Sequence, residues 1–228
     1  MRVSTWAGIV LVLVAVAGCS PMQEPSQPTA ADEATPVPTA ALTENTPDAG
    51  VTKPPSSPQT SPKTVLVAVG PDVQTALQES LILAEPGSVV QLEEGTYQFQ
   101  LGLSLDIEGV TVRGRGMDKT ILDFKGQEAG SEGLFVTSKN VVLEDFAVLD
   151  TKGNGIKTQG SDNIVIRRVR AEWTGGPKET NGAYGIYPVS STNVLVEDCV
   201  AIGGSDSGIY VGQSKNVIVR NCRAEFNV

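Results

Sequence analysis

The chain has 228 residues, with 17 Lys and Arg against 26 Asp and Glu, a formal net charge of −9 at pH 7 and no histidine. Nucleic acid and anionic lipid both require a positive field, so an acidic chain is a poor partner for either. A mechanism with an imidazole base or a His-ligated metal has no residue to carry it in these 228 residues.

The N-terminus begins with Arg2 and continues through an uncharged apolar run, Ala7 to Ala17, to Gly18 and Cys19. This is the pattern of a secretory signal peptide over residues 1–18, and its apolar run is shorter than the roughly 20 residues a spanning helix needs. Val16-Ala17-Gly18-Cys19 resembles the lipobox of bacterial lipoproteins. That resemblance implies that Cys19 carries the lipid, and Ser20 in place of Asp implies the outer membrane of a bacterial envelope.

Residues Ser20 to Lys63 hold ten of the 14 prolines and no aromatic residue. Such a segment buries too little apolar surface to offset its ordering entropy, and reads as a disordered tether. For its 44 residues a flexible chain spans about 35–40 Å. The remaining stretch, Thr64 to Val228, is long enough for one domain with its own core.

The domain opens on "PDVQTALQESLILAEPG", where Asp72 as cap, apolar Val73, Ala76, Leu77, Leu81 and Ala84, and a Pro-Gly stop predict a helix over about 72–84. "SVVQLEEGTYQF" then begins the strands. From Ser138 onward a repeat sets the pattern: "SKNVVLEDF", "SDNIVIRRV", "STNVLVEDC" and "SKNVIVRNC" place Asn140, Asn163, Asn193 and Asn216 at intervals of 23, 30 and 23 residues. A Gly followed by Leu or Ile precedes each asparagine: Gly133-Leu134, Gly155-Ile156, Gly185-Ile186 and Gly208-Ile209. After each Asn, apolar residues alternate with polar ones and β-branched residues dominate, the period of a strand with one buried face. No unit can bury that face alone, so successive coils must stack.

These repeats resemble the right-handed parallel β-helix of pectate lyases and mannuronan epimerases. The resemblance implies an all-β solenoid over 64–228 whose N-terminal helix plugs the first coil and protects its sheet edge. The last coil runs out at "RAEFNV" without a plug, so C-terminal coils and a cap are expected beyond Val228.

In a stacked solenoid, equivalent residues form columns about 4.8 Å apart. The four asparagines are expected to form a structural ladder of side-chain amides. Cys199 and Cys222 share one inward column, a full rung apart, and are expected as buried thiols rather than a disulfide. Outward positions four and five read Glu144-Asp145, Arg167-Arg168, Glu197-Asp198 and Arg220-Asn221, an alternation of sign that penalises a one-coil slip.

The β-helix resemblance further implies that sugar lies across an outward sheet bordered by the longest loop. Here that loop is "EWTGGPKETNGAY", Glu172 to Tyr184, seven residues longer than its neighbours. The outward residue after each Gly-Ile gives a column of Lys157, Tyr187 and Tyr210, which Trp173, Lys178 and Tyr184 are expected to overhang. Aromatic faces can stack on sugar rings, and Lys157 can neutralise a carboxylate or serve as a base. Asp206 and Glu172 could add hydrogen bonds or a calcium contact, but no calcium-loop pattern is present and no cofactor or metal is evident.

"YGIYP" resembles the catalytic segment of mannuronan epimerases, with Tyr184, Gly185 and Pro188 matching, while the acidic and imidazole positions are Tyr187 and Val189. The reading reached from these residues is a lipid-anchored envelope protein, facing the periplasm or the cell surface, that binds polysaccharide. Two others stand beside it: a polysaccharide lyase or epimerase, and a non-catalytic envelope module docking a protein partner along Val142, Val165, Leu195 and Ile218. Catalytic residues are not assigned.

Overall fold

The computed structural model describes residues 62–228. The signal peptide, Cys19 and nearly all of the tether lie outside the described residues. Among those residues no helix is long and apolar enough to cross a membrane.

Strand β1 (Thr64–Val67) leads into helix α1 (Val73–Ile82), and the chain then winds in coils. The first contains β2 (Val89–Leu92), β3 (Gly95–Gln98) and β4 (Leu101–Leu105), and the second β5 (Thr111–Arg113), β6 (Thr120–Asp123) and β7 (Ala129–Val136). Next come β8 (Lys139–Leu149) with β9 (Ile156–Gln159), and β10 (Asp162–Glu172) with β11 (Ile186–Val189). The last are β12 (Thr192–Glu197) with β13 (Val200–Ile202), and β14 (Lys215–Arg220) with β15 (Arg223–Glu225). Every pairing is parallel, and the solenoid has three faces. The first runs β1-β2-β5-β8-β10-β12-β14, and the third β4-β7-β9-β11. The second stacks β3, β6, the C-terminal halves of β8 and β10, β13 and β15.

Each coil turns its corners at residues in the left-handed conformation, which Asn and Asp tolerate best among residues with a side chain. Asn140, Asn163, Asn193 and Asn216 have φ of 53–56°. A second corner lies five residues on, at Asp145, Arg168, Asp198 and Asn221, with φ of 51–64°. Position five of the repeat is therefore a corner and not simply an outward strand position.

The asparagine amides do stack, in two short runs. Asn163 Nδ2 donates to Asn140 Oδ1 at 2.7 Å and Asn216 Nδ2 to Asn193 Oδ1 at 3.1 Å. Between the runs Asn193 Nδ2 turns instead to Asp162 Oδ1 at 2.9 Å, and below them Asn140 Nδ2 meets Glu108 Oε1 at 2.7 Å. A serine ladder runs beside it: the Ser161 N–H donates to Ser191 Oγ at 3.3 Å and the Ser191 N–H to Ser214 Oγ at 3.0 Å. Ser161 and Ser191 are buried, so these bonds satisfy amides that water does not reach.

Inside, the column Tyr97–Leu122–Val148–Ala171–Ala201 narrows from ring to methyl. The small end faces the repeat's glycines. A Cβ on Gly155 would lie 2.6 Å from the Gly185 carbonyl oxygen of the next coil, and one on Gly185 2.7 Å from that of Gly208. Only glycine permits that rung spacing. Cys199 and Cys222 are free thiols, Cys199 buried as expected and Cys222 only half-buried in the last coil. Burial pushes the Cys199 thiol up to about 12, which keeps it protonated and inert.

Helix α1 is shorter than its sequence pattern suggests and buries Val73, Leu77 and Leu81, while Ala76 is exposed. Asp72 makes no side-chain capping bond. The helix protects the first coil by hydrogen bonds as well as by packing. Gln74 Oε1 accepts from the backbone N–H groups of Gln100 (3.1 Å) and Leu101 (3.0 Å), while Gln78 bonds both the N–H and the carbonyl of Ser104. Two glutamines thus occupy the outer edge of β4, which a bare sheet would leave unpaired.

On the first face the outward column Arg113–Glu144–Arg167–Glu197–Arg220 alternates in sign at every rung. Glu144 is only 1% exposed and is held by Arg113, by Arg167 at 2.6 Å and by Arg168 at 3.1 Å. Burial alone would raise its carboxyl, but the hydrogen bonds from Arg113 and Arg167 outweigh that and hold it below its ordinary value. Asp145, bonded by Arg168 at 2.6 and 2.8 Å, is lowered chiefly by that contact.

Candidate functional site

The outward column of the third face runs Ser104–Phe135–Lys157–Tyr187–Tyr210, fixed by the registers of β4 with β7, β7 with β9 and β9 with β11, and by the bridge from Ile186 to Ile209. Tyr184 joins it from the end of the long loop. Its backbone N–H bonds to Asn154 Oδ1 at 3.3 Å and its carbonyl accepts from the Gly155 N–H at 2.9 Å, which seats the ring against the column. The Tyr184 ring lies 4.7 Å from those of both Tyr187 and Tyr210, stacked on the latter at 23°, and Tyr187 and Tyr210 are 5.4 Å apart. Three phenols form one continuous aromatic platform, in which Tyr210 is 38% exposed.

Charge borders the platform on two sides. Lys157 Nζ lies 5.5 Å from the centre of the Phe135 ring and 5.8 Å from that of Tyr187, and pairs with Glu132 Oε1 at 3.5 Å. Cation–π contacts of this kind fix the ammonium over the ring faces. On the far side Tyr184 Oη donates to Asp206 Oδ2 at 3.3 Å, and Ser207 Oγ to Asp206 Oδ1 at 3.0 Å. Desolvation, and then the nearby Asp206 carboxylate, raise the Tyr184 phenol above its ordinary value, so at neutral pH it keeps its proton and acts as a donor. Toward the helix end the same face opens into a hollow of about 190 Å³ walled by Ser104, Glu132 and Phe135.

The structure brings together Lys157, Tyr184, Tyr187, Asp206 and Tyr210, but it places Trp173 and Lys178 elsewhere. Trp173 does not overhang the tyrosines; it is 4% exposed and its indole N–H donates to the Thr151 carbonyl at 2.7 Å. Side-chain-free Gly182, Gly203 and Gly204 make the slot: a Cβ on Gly182 would come within 2.7 Å of the indole ring, and one on Gly204 within 3.4 Å. Lys178 is exposed on the other side of the loop, facing a second hollow. Phe135 and Glu132 complete the platform, outside the Lys157–Tyr187–Tyr210 column that the sequence predicts. Phe135 follows Gly133-Leu134 just as Lys157 follows Gly155-Ile156, so the repeat register carried the signal.

The aliphatic column of the first face is less open than its sequence suggests. Val142, Val165 and Leu195 are half-buried, and only Ile218 in the last coil, at 58%, is widely exposed. Among the described residues no group of three or more Asp, Glu or Cys side chains is placed to hold a metal ion.

Three parallel faces, asparagine corners and inward aliphatic columns define a parallel β-helix solenoid. The model of the right-handed β-helix region matches residues 108–228, and the chain belongs to that family. No curated protein sequence matches it significantly. Among solved structures it is similar to an alginate lyase from Paenibacillus sp. str. FPU-7, at TM-score 0.50 and 16% identity over 71% of this chain and 66% of the lyase. It is similar to ORF18 of Geobacillus virus E2 at TM-score 0.52 and 14% identity, over 69% of this chain and 41% of the viral protein. The A-module of the Azotobacter vinelandii mannuronan C-5 epimerase AlgE4 shows TM-score 0.48 and 18% identity over 65% of this chain and 56% of the module. The chain thus spans less than two thirds of each of these proteins, and at these identities the likeness is one of fold.

Proposed function

We propose that this protein binds a carbohydrate chain across the third face, with Tyr184, Tyr187 and Tyr210 as the stacking surface. The observation that carries this reading is the three-ring platform itself. Sugar rings present C–H faces that pack on aromatic rings, and Tyr supplies a large contact area with little conformational entropy to lose. Around it Lys157, Glu132, Asp206 and the protonated Tyr184 phenol offer both donors and acceptors for hydroxyl groups, the arrangement of a site with an apolar floor and a few placed polar groups. The β-helix neighbours include an alginate lyase, which is consistent with a polysaccharide ligand.

The address belongs to the same proposal. The basic start, apolar run and Val16-Ala17-Gly18-Cys19 support a lipid anchor at Cys19 in the bacterial outer membrane, and the Pro-rich segment supports a tether that holds the solenoid away from it. The test is retention of the full chain on a panel of immobilised polysaccharides. The wild-type chain is retained on at least one, and Tyr187→Ala with Tyr210→Ala removes that retention; equal retention of the double variant would refute the assignment.

A further inference from the structure

The long loop has a second side, turned away from the tyrosines. Asp150 holds its start, accepting from the Thr174 N–H at 2.7 Å and the Thr174 hydroxyl at 2.6 Å. Asn181 Nδ2 holds its end, donating to the carbonyls of Gly176 (2.9 Å) and Gly203 (2.6 Å). With Trp173 wedged beneath, the loop is pinned around an open hollow of about 430 Å³, within the range of roughly 300–1,000 Å³ that small-ligand sites occupy.

Lys125, Lys152 and Lys178 line this hollow, coming from three separate segments of the chain. One carboxylate, Asp150, shares the lining, and both of its oxygens are taken by Thr174. This is unusual for a domain in which 21 acidic residues outnumber 14 basic ones over 64–228. Among the described residues all seven arginines make ion pairs, as do Lys63, Lys119 and Lys157. Five lysines make none, and three of those five line this one hollow.

The residue type bears on the ligand. A lysine ammonium is a compact charge with three donors that can turn toward any direction, and it binds phosphate-like anions as a point charge. Three such groups around an open hollow suit a tetrahedral oxyanion, whose oxygens point outward on all sides. Lys125 also borders a second, larger hollow of about 610 Å³, which reaches past Gln98 and Asp123 to Gln74 of α1. The two hollows share Lys125 and adjoin there as a furrow of mixed polar and apolar lining, with room for a chain attached to the anion.

We propose that this furrow binds a glycan bearing a sulfate or phosphate ester, with the ester held by Lys125, Lys152 and Lys178. The proposal rests on the carbohydrate reading above but uses different residues, so the two can fail separately. All three lysines are exposed, and their replacement leaves the core untouched.

The experiment is calorimetric titration of the full chain at low salt with a sulfated galactan oligosaccharide, its desulfated counterpart, glucose 6-phosphate and inorganic phosphate. The sulfated oligosaccharide binds about tenfold or more tightly than the desulfated one, and Lys152→Gln with Lys178→Gln weakens both ester ligands by about tenfold. Tyr187→Ala with Tyr210→Ala leaves glucose 6-phosphate binding unchanged. Equal affinity for sulfated and desulfated chains, or affinity untouched by the lysine substitutions, overturns the proposal. Inorganic phosphate binding as tightly as the ester-bearing sugars overturns its glycan part.

Discussion

The first and third faces place outward residues on the same kind of parallel scaffold, and they use them oppositely. On the first face the charges satisfy one another: Arg113, Glu144, Arg167, Glu197 and Arg220 alternate along the stack, with Glu144 sunk among three guanidinium groups. On the third face the outward column is mainly aromatic, its three tyrosine rings touch one another, Lys157 sits between Phe135 and Tyr187, and Glu132 and Asp206 stand at the margins. Self-satisfied charges stabilise a register, while partly exposed aromatic side chains keep binding capacity for a ligand. The same substitution should therefore cost stability on one face and affinity on the other.

The largest effect is expected at Glu144. Glu144→Ala leaves Arg113, Arg167 and Arg168 facing each other without their shared anion, and should cost about 3 kcal/mol of folding stability by urea denaturation. Next, Gly155→Ala drives a methyl into the carbonyl of the coil above and should cost about 1–3 kcal/mol in the same assay. Asn163→Ala loses the amide bond to Asn140 and keeps a left-handed φ of 55°, at about 1–2 kcal/mol. Tyr210→Ala, on an exposed ring, should change stability by less than about 1 kcal/mol while weakening glycan retention.

Acid should distinguish the faces as well. Folding lowers the carboxyls of Glu144 and Asp145 from their ordinary 4.5 and 3.8. Such groups contribute stability above those ordinary values and lose it as the pH falls through the lower folded ones. Denaturation midpoints should be steady above about pH 5 and drop below about pH 4, with Glu144→Gln flattening the drop. The smallest effect concerns a thiol: an alkylating reagent should spare Cys199 in the native protein and modify it only in denaturant, read by mass spectrometry.

Much of the fold was legible because solenoid constraints repeat. Gly-Ile and Ser-x-Asn recur wherever a coil needs close rungs and a left-handed corner, so one register aligned β8, β10, β12 and β14. The second corner has no sequence signature of its own, because Asp145, Arg168, Asp198 and Asn221 differ in chemistry; only their shared five-residue offset from the asparagines marks them. The serines were visible as repeat letters, but their ladder depends on one hydroxyl reaching an amide one coil away. Lys157, Tyr187 and Tyr210 were legible as a column because strand register is periodic. Trp173 and Lys178 lie in the loop inserted between two repeats, where the path of the chain is set by contacts with distant glycines and with Asp150.

The most direct test of the platform is an NMR titration of the tyrosine ring protons of the full chain with an oligosaccharide of the retained polysaccharide. Tyr184, Tyr187 and Tyr210 should shift together, with nuclear Overhauser contacts to sugar C–H protons, while Tyr97, buried in the first coil, stays still. Shifts confined to other residues, with those three rings silent at saturation, would contradict the account.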